Sequence, residues 1–295
     1  MLAEKLREAG FNVDLLNVPK IPIKNLKNPS FVITSTLSGF LKQKYDIVHA
    51  FNVPSVFAMK SVRAKKRVLS IHGIFSDQIN ATHSSMLGRI AGFTEERSLK
   101  WADKLTTDSK ASKEIYKKKL GLDFVYLPSP IDTSKFHDLP VDKIENQIAY
   151  IGRDSHEKGI DLLRKIEKKL NGKIVYCTNV SWREAMITLK SSSLVVVPSR
   201  MESLPTVVKE AFYLKIPVVA TNVGGTPELV TDKITGILVP PDDPERLLEE
   251  INNLLKNKEY AEKLANAAYD FVVKNMTWDV ILPKYVNFYE DLLKS

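Results

Sequence analysis

Short apolar runs rich in β-branched residues recur along the chain, each followed by a stretch with the spacing of an amphipathic helix. In the first half the runs fall at residues 12–16, 46–50, 67–71, 104–107 and 123–126. Helical patterns cover 2–9, 89–101 and 109–119. A second series has runs at 147–151, 173–177, 194–197, 217–220 and 236–239, alternating with helical patterns at 160–170, 183–189, 204–214 and 244–255. From Tyr260 the chain reads as helix to its end, interrupted around Met276-Thr277-Trp278. Such alternation predicts parallel α/β architecture. The polar, proline-containing stretch 138–146 is the expected linker. It gives a first domain at 1–140, a second at 141–275 and a final helix at 276–295. Two such domains would bind ligands in a cleft at the carboxyl ends of their strands.

One segment carries more chemistry than the rest: Pro198 to Ala211, PSRMESLPTVVKEA. A β-branched strand leads into a turn, and Ser203 is the expected N-cap of a helix with Pro205 in its first turn. The backbone N–H groups of Ser203, Leu204 and Thr206, with Pro205 among them contributing none, surround that helix start, a setting that suits a phosphate. Glu202 precedes the helix and Glu210 lies two turns in, so two carboxylates flank the phosphate position. A phosphate between two hydroxyl-rich groups describes a nucleotide sugar.

Glu202 and Glu210 have the E-x7-E spacing of the retaining glycosyltransferases of family 4, and the segment resembles that family's signature. Ile151-Gly152-Arg153-Asp154-Ser155-His156-Glu157-Lys158-Gly159 resembles its strand–loop–helix phosphate clamp. Residues 217–228, PVVATNVGGTPE, resemble the strand and glycine turn that follow. The resemblance covers nearly the whole chain and is strongest from residue 147 onward. It implies the GT-B fold: two Rossmann-like domains facing across a cleft, the second binding the donor and the first the acceptor, with a last helix crossing back. The family opens with a strand and a glycine-rich loop, whereas this sequence begins on what reads as the first helix. The first domain is therefore expected to lack its first strand.

The resemblance also assigns roles. Gly152, Arg153 and Lys158 would line the donor diphosphate, and the two cations would stabilise charge on the leaving group. Glu202 would face the donor sugar, Glu210 the ribose hydroxyls and His72 the reacting sugar. Each has a plainer alternative. Arg153 and Lys158 are also ordinary cations at a helix start, and Glu210 also fits an exposed helix face beside Lys209. His72 is also a structural strand-end histidine, the reading given to His49. Gly224 and Gly225 supply a tight turn in any fold, and Glu228 also reads as a helix-start acid.

Composition narrows the classes. One cysteine, Cys177, excludes an intramolecular disulfide, and no apolar run approaches the roughly 20 residues of a membrane span. The charged, amphipathic start does not read as a signal peptide, so a cytoplasmic location is expected. The net charge of +8 sits in the first half: residues 1–140 hold 22 Lys+Arg against 13 Asp+Glu, and residues 141–295 hold 21 against 22. That excess reads either as solvated surface or as attraction to an anionic membrane face or acceptor. Nucleic acid is not expected as a partner, for no binding motif accompanies the charge. There is no D-x-D and no metal-ligand spacing, so no essential metal and no cofactor are expected. Absence of the dinucleotide and P-loop fingerprints counts against NAD binding and NTP hydrolysis. The expected activity is retaining, metal-independent transfer of a sugar from a nucleoside-diphosphate donor to a glycan or lipid-linked hydroxyl. The rival is a non-catalytic nucleotide-sugar-binding or partner subunit with a degenerate first domain.

Overall fold

The computed structural model describes residues 1–18, 27–73, 96–139 and 141–295, at 27–29 the backbone alone. The chain divides into two compact units, Met1–Pro128 with Ile281–Ser295, and Ser129–Val280. The divide lies at Pro128, ahead of the 138–146 stretch read as linker. Residues 129–137 belong with the second unit because Ile131 and Phe136 are buried in its core, as is Leu139 within the stretch itself.

In the first unit, strands β1 (Tyr45–Phe51), β2 (Ala64–Ile71), β3 (Lys104–Thr107) and β4 (Val125–Tyr126) form a parallel sheet in that order. One face packs Val56, Met59, Leu99, Tyr116 and Phe124 against Leu69 and Ile71. The other collects Leu6, Leu127, Ile281, Tyr285 and Tyr289, so part of the final helix, Trp278–Lys294, belongs to this core. The run at 12–16 is not a strand. Its groups are engaged otherwise: Arg7 Nε donates to the Val13 carbonyl at 2.9 Å, and the Asp14 carboxylate accepts from the Tyr45 hydroxyl at 2.6 Å. The helix predicted at 89–101 lies partly outside the described residues; 96–99 are helical.

Helix Lys110–Leu120 shows how local signals set boundaries. Ser109 caps it, accepting from the Ser112 N–H at 3.0 Å, and Gly121 ends it in the left-handed conformation. Lys117, Lys118 and Lys119 fall in its last turn, where cations complement the helix dipole. That placement accounts for one of the two visible basic clusters without a ligand.

The second unit is a five-stranded parallel sheet in the order β6 (Lys173–Cys177), β5 (Gln147–Ile151), β7 (Leu194–Val197), β8 (Val218–Thr221), β9 (Ile237–Val239). Alternation along β5 divides its residues between faces: Ile148 and Tyr150 join one core, Ala149 the other. Helices Ile160–Ile166 and Pro244–Lys256 cover the first face. Helices Trp182–Ser191, Thr206–Tyr213 and Lys258–Asn275 cover the second. Burying a side chain such as Phe212 or Leu163 contributes about 1.5–3 kcal/mol, which keeps the strand ends, and the loops leaving them, in fixed places. Both units are Rossmann-like.

Candidate donor site

The carboxyl ends of β5 and β7 are neighbours in the sheet, so the loops that leave them meet. The loop after β5 runs through Gly152 and a 3-10 turn, His156–Lys158, to Gly159, whose φ of +66° starts helix Ile160–Ile166. A side chain at Gly159 would place its Cβ 1.9 Å from the Pro198 carbonyl oxygen. On the other flank of the 198–205 loop, a Cβ at Gly224 would lie 1.9 Å from the Glu202 carbonyl oxygen. The two glycines thus let neighbouring backbones hold the loop that carries Glu202.

Within the site Lys158 Nζ donates to Glu202 Oε1 at 2.7 Å, and Ser199 Oγ donates to the same oxygen at 2.7 Å. The pair is mostly buried, with Lys158 24% and Glu202 10% exposed. Arg153 differs: it is well exposed and pairs with the buried Glu157. A Cβ at Gly152 would lie 3.2 Å from the Tyr150 hydroxyl, which donates to the Arg153 carbonyl at 2.8 Å. Burial pushes that phenol's pKa above its ordinary value, with the Asp154 and Glu202 charges adding to it.

Arg200 is the residue that sequence reading missed. Its guanidinium donates to both Asp161 oxygens, at 2.7 and 2.9 Å, to Asp242 at 2.6 Å and to the His156 carbonyl at 2.5 Å. Its own N–H reaches the Glu157 carbonyl at 2.8 Å. One side chain therefore ties the β7 loop to the β5 loop and to the turn before Pro244. A bidentate guanidinium–carboxylate pair fixes orientation as well as distance. The fork holds Asp161's carboxyl below the usual carboxylate range. No spacing in the sequence signals a partnership 39 and 42 residues apart.

Ser203 is not the helix cap. The helix begins at Thr206 with Pro205 in the cap position and no side-chain capping bond. Leu204 and Pro205 turn inward and Leu204 joins the core, which anchors the turn, while Thr206 is exposed at the first helical position. Glu210 is not on an exposed face either. It is 8% exposed and accepts from the Trp182 indole N–H at 2.8 Å. Desolvation raises its pKa, against the bond from Trp182 and the charges of Lys209 and Lys135. The adjacent Lys209 is buried too, its ammonium donating to the Ser129 carbonyl at 2.6 Å and hydroxyl at 2.8 Å.

In the first unit His72 follows β2. Its Nδ1 lies 3.2 Å from the buried Asp108 carboxylate, and its backbone N–H donates to Asn52 Oδ1 at 3.1 Å. The ring is about one-third exposed. A carboxylate on Nδ1 orients the imidazole. His49 is bonded through both ring nitrogens, to the Tyr289 hydroxyl and to Ser70 Oγ, each at 2.6 Å. Desolvation, with the neighbouring His72, pushes its pKa down to about 3. It is neutral and structural.

Two family models match in sequence order: Glycosyltransferase Family 4 over residues 1–135 and Glycosyl transferases group 1 over 164–271. An uncharacterized glycosyltransferase of Methanocaldococcus jannaschii is 26% identical, across 84% of this chain and 75% of its own. A putative teichuronic acid biosynthesis glycosyltransferase of Bacillus subtilis is 28% identical, across 81% and 70%. Among solved structures, sucrose-phosphate synthase of Thermosynechococcus elongatus superposes with a TM-score of 0.79 at 20% identity, covering 99% of this chain and 92% of that one. Anabaena HepE in complex with UDP-glucose gives 0.72 at 16% identity, covering 89% and 82%. The fold is GT-B. The chain belongs to the glycosyltransferases of the group 1/family 4 type.

Proposed function

We propose that this glycosyltransferase takes its sugar from a nucleoside-diphosphate donor and transfers it with retention to a hydroxyl of a glycan or lipid-linked acceptor. The observation that carries the donor reading is the Lys158–Glu202 pair at 2.7 Å. It joins a cation suited to a diphosphate to a carboxylate suited to sugar hydroxyls, on loops that two glycines bring together. Lys158 and Arg153 stabilise the departing diphosphate, which needs no metal for charge balance. Gly152 and the backbone of residues 203–206 line the phosphates, Glu202 orients the sugar and Glu210 the ribose. His72, directed by Asp108, faces the reacting sugar. Attack comes from the face the diphosphate leaves, so positioning and electrostatic stabilisation provide most of the acceleration.

The test is release of nucleoside diphosphate from UDP-, GDP- and ADP-sugars, with and without mixed glycan and lipid acceptors, in wild type and Lys158→Ala. Transfer that falls by about 10²–10³ in the variant, with folding intact, is the expected result. Full activity in Lys158→Ala overturns the clamp. Donor binding with neither transfer nor slow hydrolysis favours the rival, a non-catalytic binding subunit.

We also infer a peripheral contact with an anionic membrane face. On helix Lys27–Phe40 the small residues Ser35 and Gly39 are buried, while Ile33, Leu37 and Phe40 are 61–65% exposed at i, i+4, i+7 spacing. Lys42 and Lys44 follow, and residues 27–44 contain no acid. An apolar stripe edged by cations suits an interfacial helix. Among the described residues no helix is long and apolar enough to cross a membrane. Co-sedimentation with phosphatidylglycerol vesicles that Leu37→Glu abolishes, and phosphatidylcholine vesicles do not support, is the expected outcome. Equal recovery with both lipids contradicts it.

A further inference from the structure

Glu210 is an unusual residue to place on a helix core face. It lies one residue before Ala211 and two before Phe212, both fully buried, and desolvation alone would drive its carboxyl toward the neutral form. The bond from the Trp182 indole opposes that. An indole N–H is a donor only, and a carboxylate has about four acceptor positions, so one bond leaves most of them for other donors.

Trp182 is itself fixed. It is the first residue of helix Trp182–Ser191, behind a complete capping box. The Glu184 N–H donates to Ser181 Oγ at 3.2 Å and the Ser181 N–H to Glu184 Oε2 at 2.8 Å. Phe136 packs edge-on to the indole at 5.4 Å and also touches Tyr213, one turn beyond Glu210. Arg183, next in the helix, donates to the Asp138 carbonyl at 3.0 Å. A rigid donor with two rotatable bonds, locked at its base and its edge, aims one carboxylate oxygen. Yet Trp182 keeps 38% of its surface exposed, which a purely core-filling tryptophan would not need.

We propose that Trp182 is a positioning residue of the donor site. Its indole N–H holds the Glu210 carboxyl oriented so that it accepts from the paired 2′- and 3′-hydroxyls of a ribose. Trp182 thereby sets how sharply the donor site distinguishes a ribose from a 2′-deoxyribose. A ribose diol presents two donors to one carboxylate, and a 2′-deoxyribose leaves one acceptor position unmatched in a desolvated setting, which carries a penalty. This inference rests on the donor-site reading above.

The experiment is calorimetric titration with UDP, GDP and ADP and with their 2′-deoxy counterparts, for wild type, Glu210→Gln, Trp182→Phe, the double variant and Phe136→Leu. Wild type is expected to prefer the ribonucleotide by about tenfold or more. Trp182→Phe keeps a ring against Phe136 but removes the donor, so the preference should shrink to about twofold through weaker ribonucleotide binding. The double variant should be no weaker than Glu210→Gln, because the two act as one unit. Phe136→Leu removes ring packing and leaves the indole bond, so its preference should persist.

A Trp182→Phe protein with undiminished preference overturns the inference while the donor reading stands, provided Glu210→Gln loses the preference. Equal loss in Phe136→Leu also overturns it, since packing would then be the cause. An unchanged preference in Glu210→Gln, or no nucleotide binding by wild type, removes the donor-site reading itself.

Discussion

The loop that carries Glu202 and the strand end that carries His72 both follow the carboxyl end of a parallel strand, β7 and β2, yet they are held by different means. In the second unit the loop is fixed at backbone level, with glycines at 159 and 224 touching its carbonyls and Arg200 binding three segments. In the first unit His72 is met by side chains, Asp108 on its ring, Asn52 on its backbone and Phe51 edge-on to the imidazole. Backbone contact without a Cβ between leaves no rotamer to choose and no slack to absorb a substitution. A hydrogen-bonded histidine can be replaced with less damage to the fold and more selective damage to chemistry. The Glu202 loop is therefore held largely by close backbone fit and His72 by the side chains around it.

Substitutions can break that contrast in order of expected size. Gly159→Ala should be the most destructive. It forces a left-handed conformation that costs about 1–2 kcal/mol and a backbone clash besides. We expect a loss of about 3 kcal/mol in denaturant unfolding together with loss of nucleotide binding. Wild-type stability in this variant would mean that the loops do not touch as described.

Arg200→Lys keeps the charge and loses the fork. A lysine cannot serve Asp161 bidentately and also reach Asp242 and His156. Stability should fall by about 1–3 kcal/mol, with KM for the donor rising more than kcat falls. A kcat effect alone would place Arg200 in the reaction itself.

His72→Asn should leave the unfolding midpoint within experimental error and donor affinity unchanged, while transfer drops by about tenfold to a hundredfold. Loss of donor affinity here would contradict the division of labour between the two sites.

The smallest effect is a pH dependence in the first unit. His49 has a pKa of about 3 in the fold against an ordinary 6.5, so below 6.5 the unfolded chain takes a proton that the native state refuses. Stability attributable to it is intact above pH 6.5 and is lost progressively as pH falls toward 3. Between pH 7 and pH 5, wild type should lose about 1–2 kcal/mol more than His49→Gln in urea unfolding. Parallel losses would show that His49 protonates freely.

Much of this contrast could be read in the sequence, for physical reasons. Four strands, β3, β5, β6 and β7, have the bounds that the apolar runs predict, and the other five described strands overlap theirs, because each is a short apolar block bounded by helical spacing. Lys158, Glu202 and Glu210 were visible because two motifs place them, on the loop after β5, the loop after β7 and the helix that follows. Helix Lys27–Phe40 was not predicted, since it buries small residues and turns its large apolar ones outward, the reverse of the usual signal. Residues 12–16 had a strand's composition, but composition cannot provide a ladder partner. Asn52, Asp108, Asp161, Trp182 and Arg200 act through partners 20 to 44 residues away or more, and only the fold brings them together. The depth of Glu210 belongs to the same class, because a helical acid beside a lysine looks exposed until its neighbours are known.

The most direct measurement is a thermal-shift panel of UDP-, GDP- and ADP-sugars with wild type and Lys158→Ala side by side. A ligand that binds only the folded state raises the unfolding temperature in proportion to its saturation. The account predicts stabilisation by one nucleotide class, lost in Lys158→Ala, whose own unfolding temperature stays near wild type. No shift with any donor, or the same shift in both proteins, would contradict a donor site built on the Lys158–Glu202 pair.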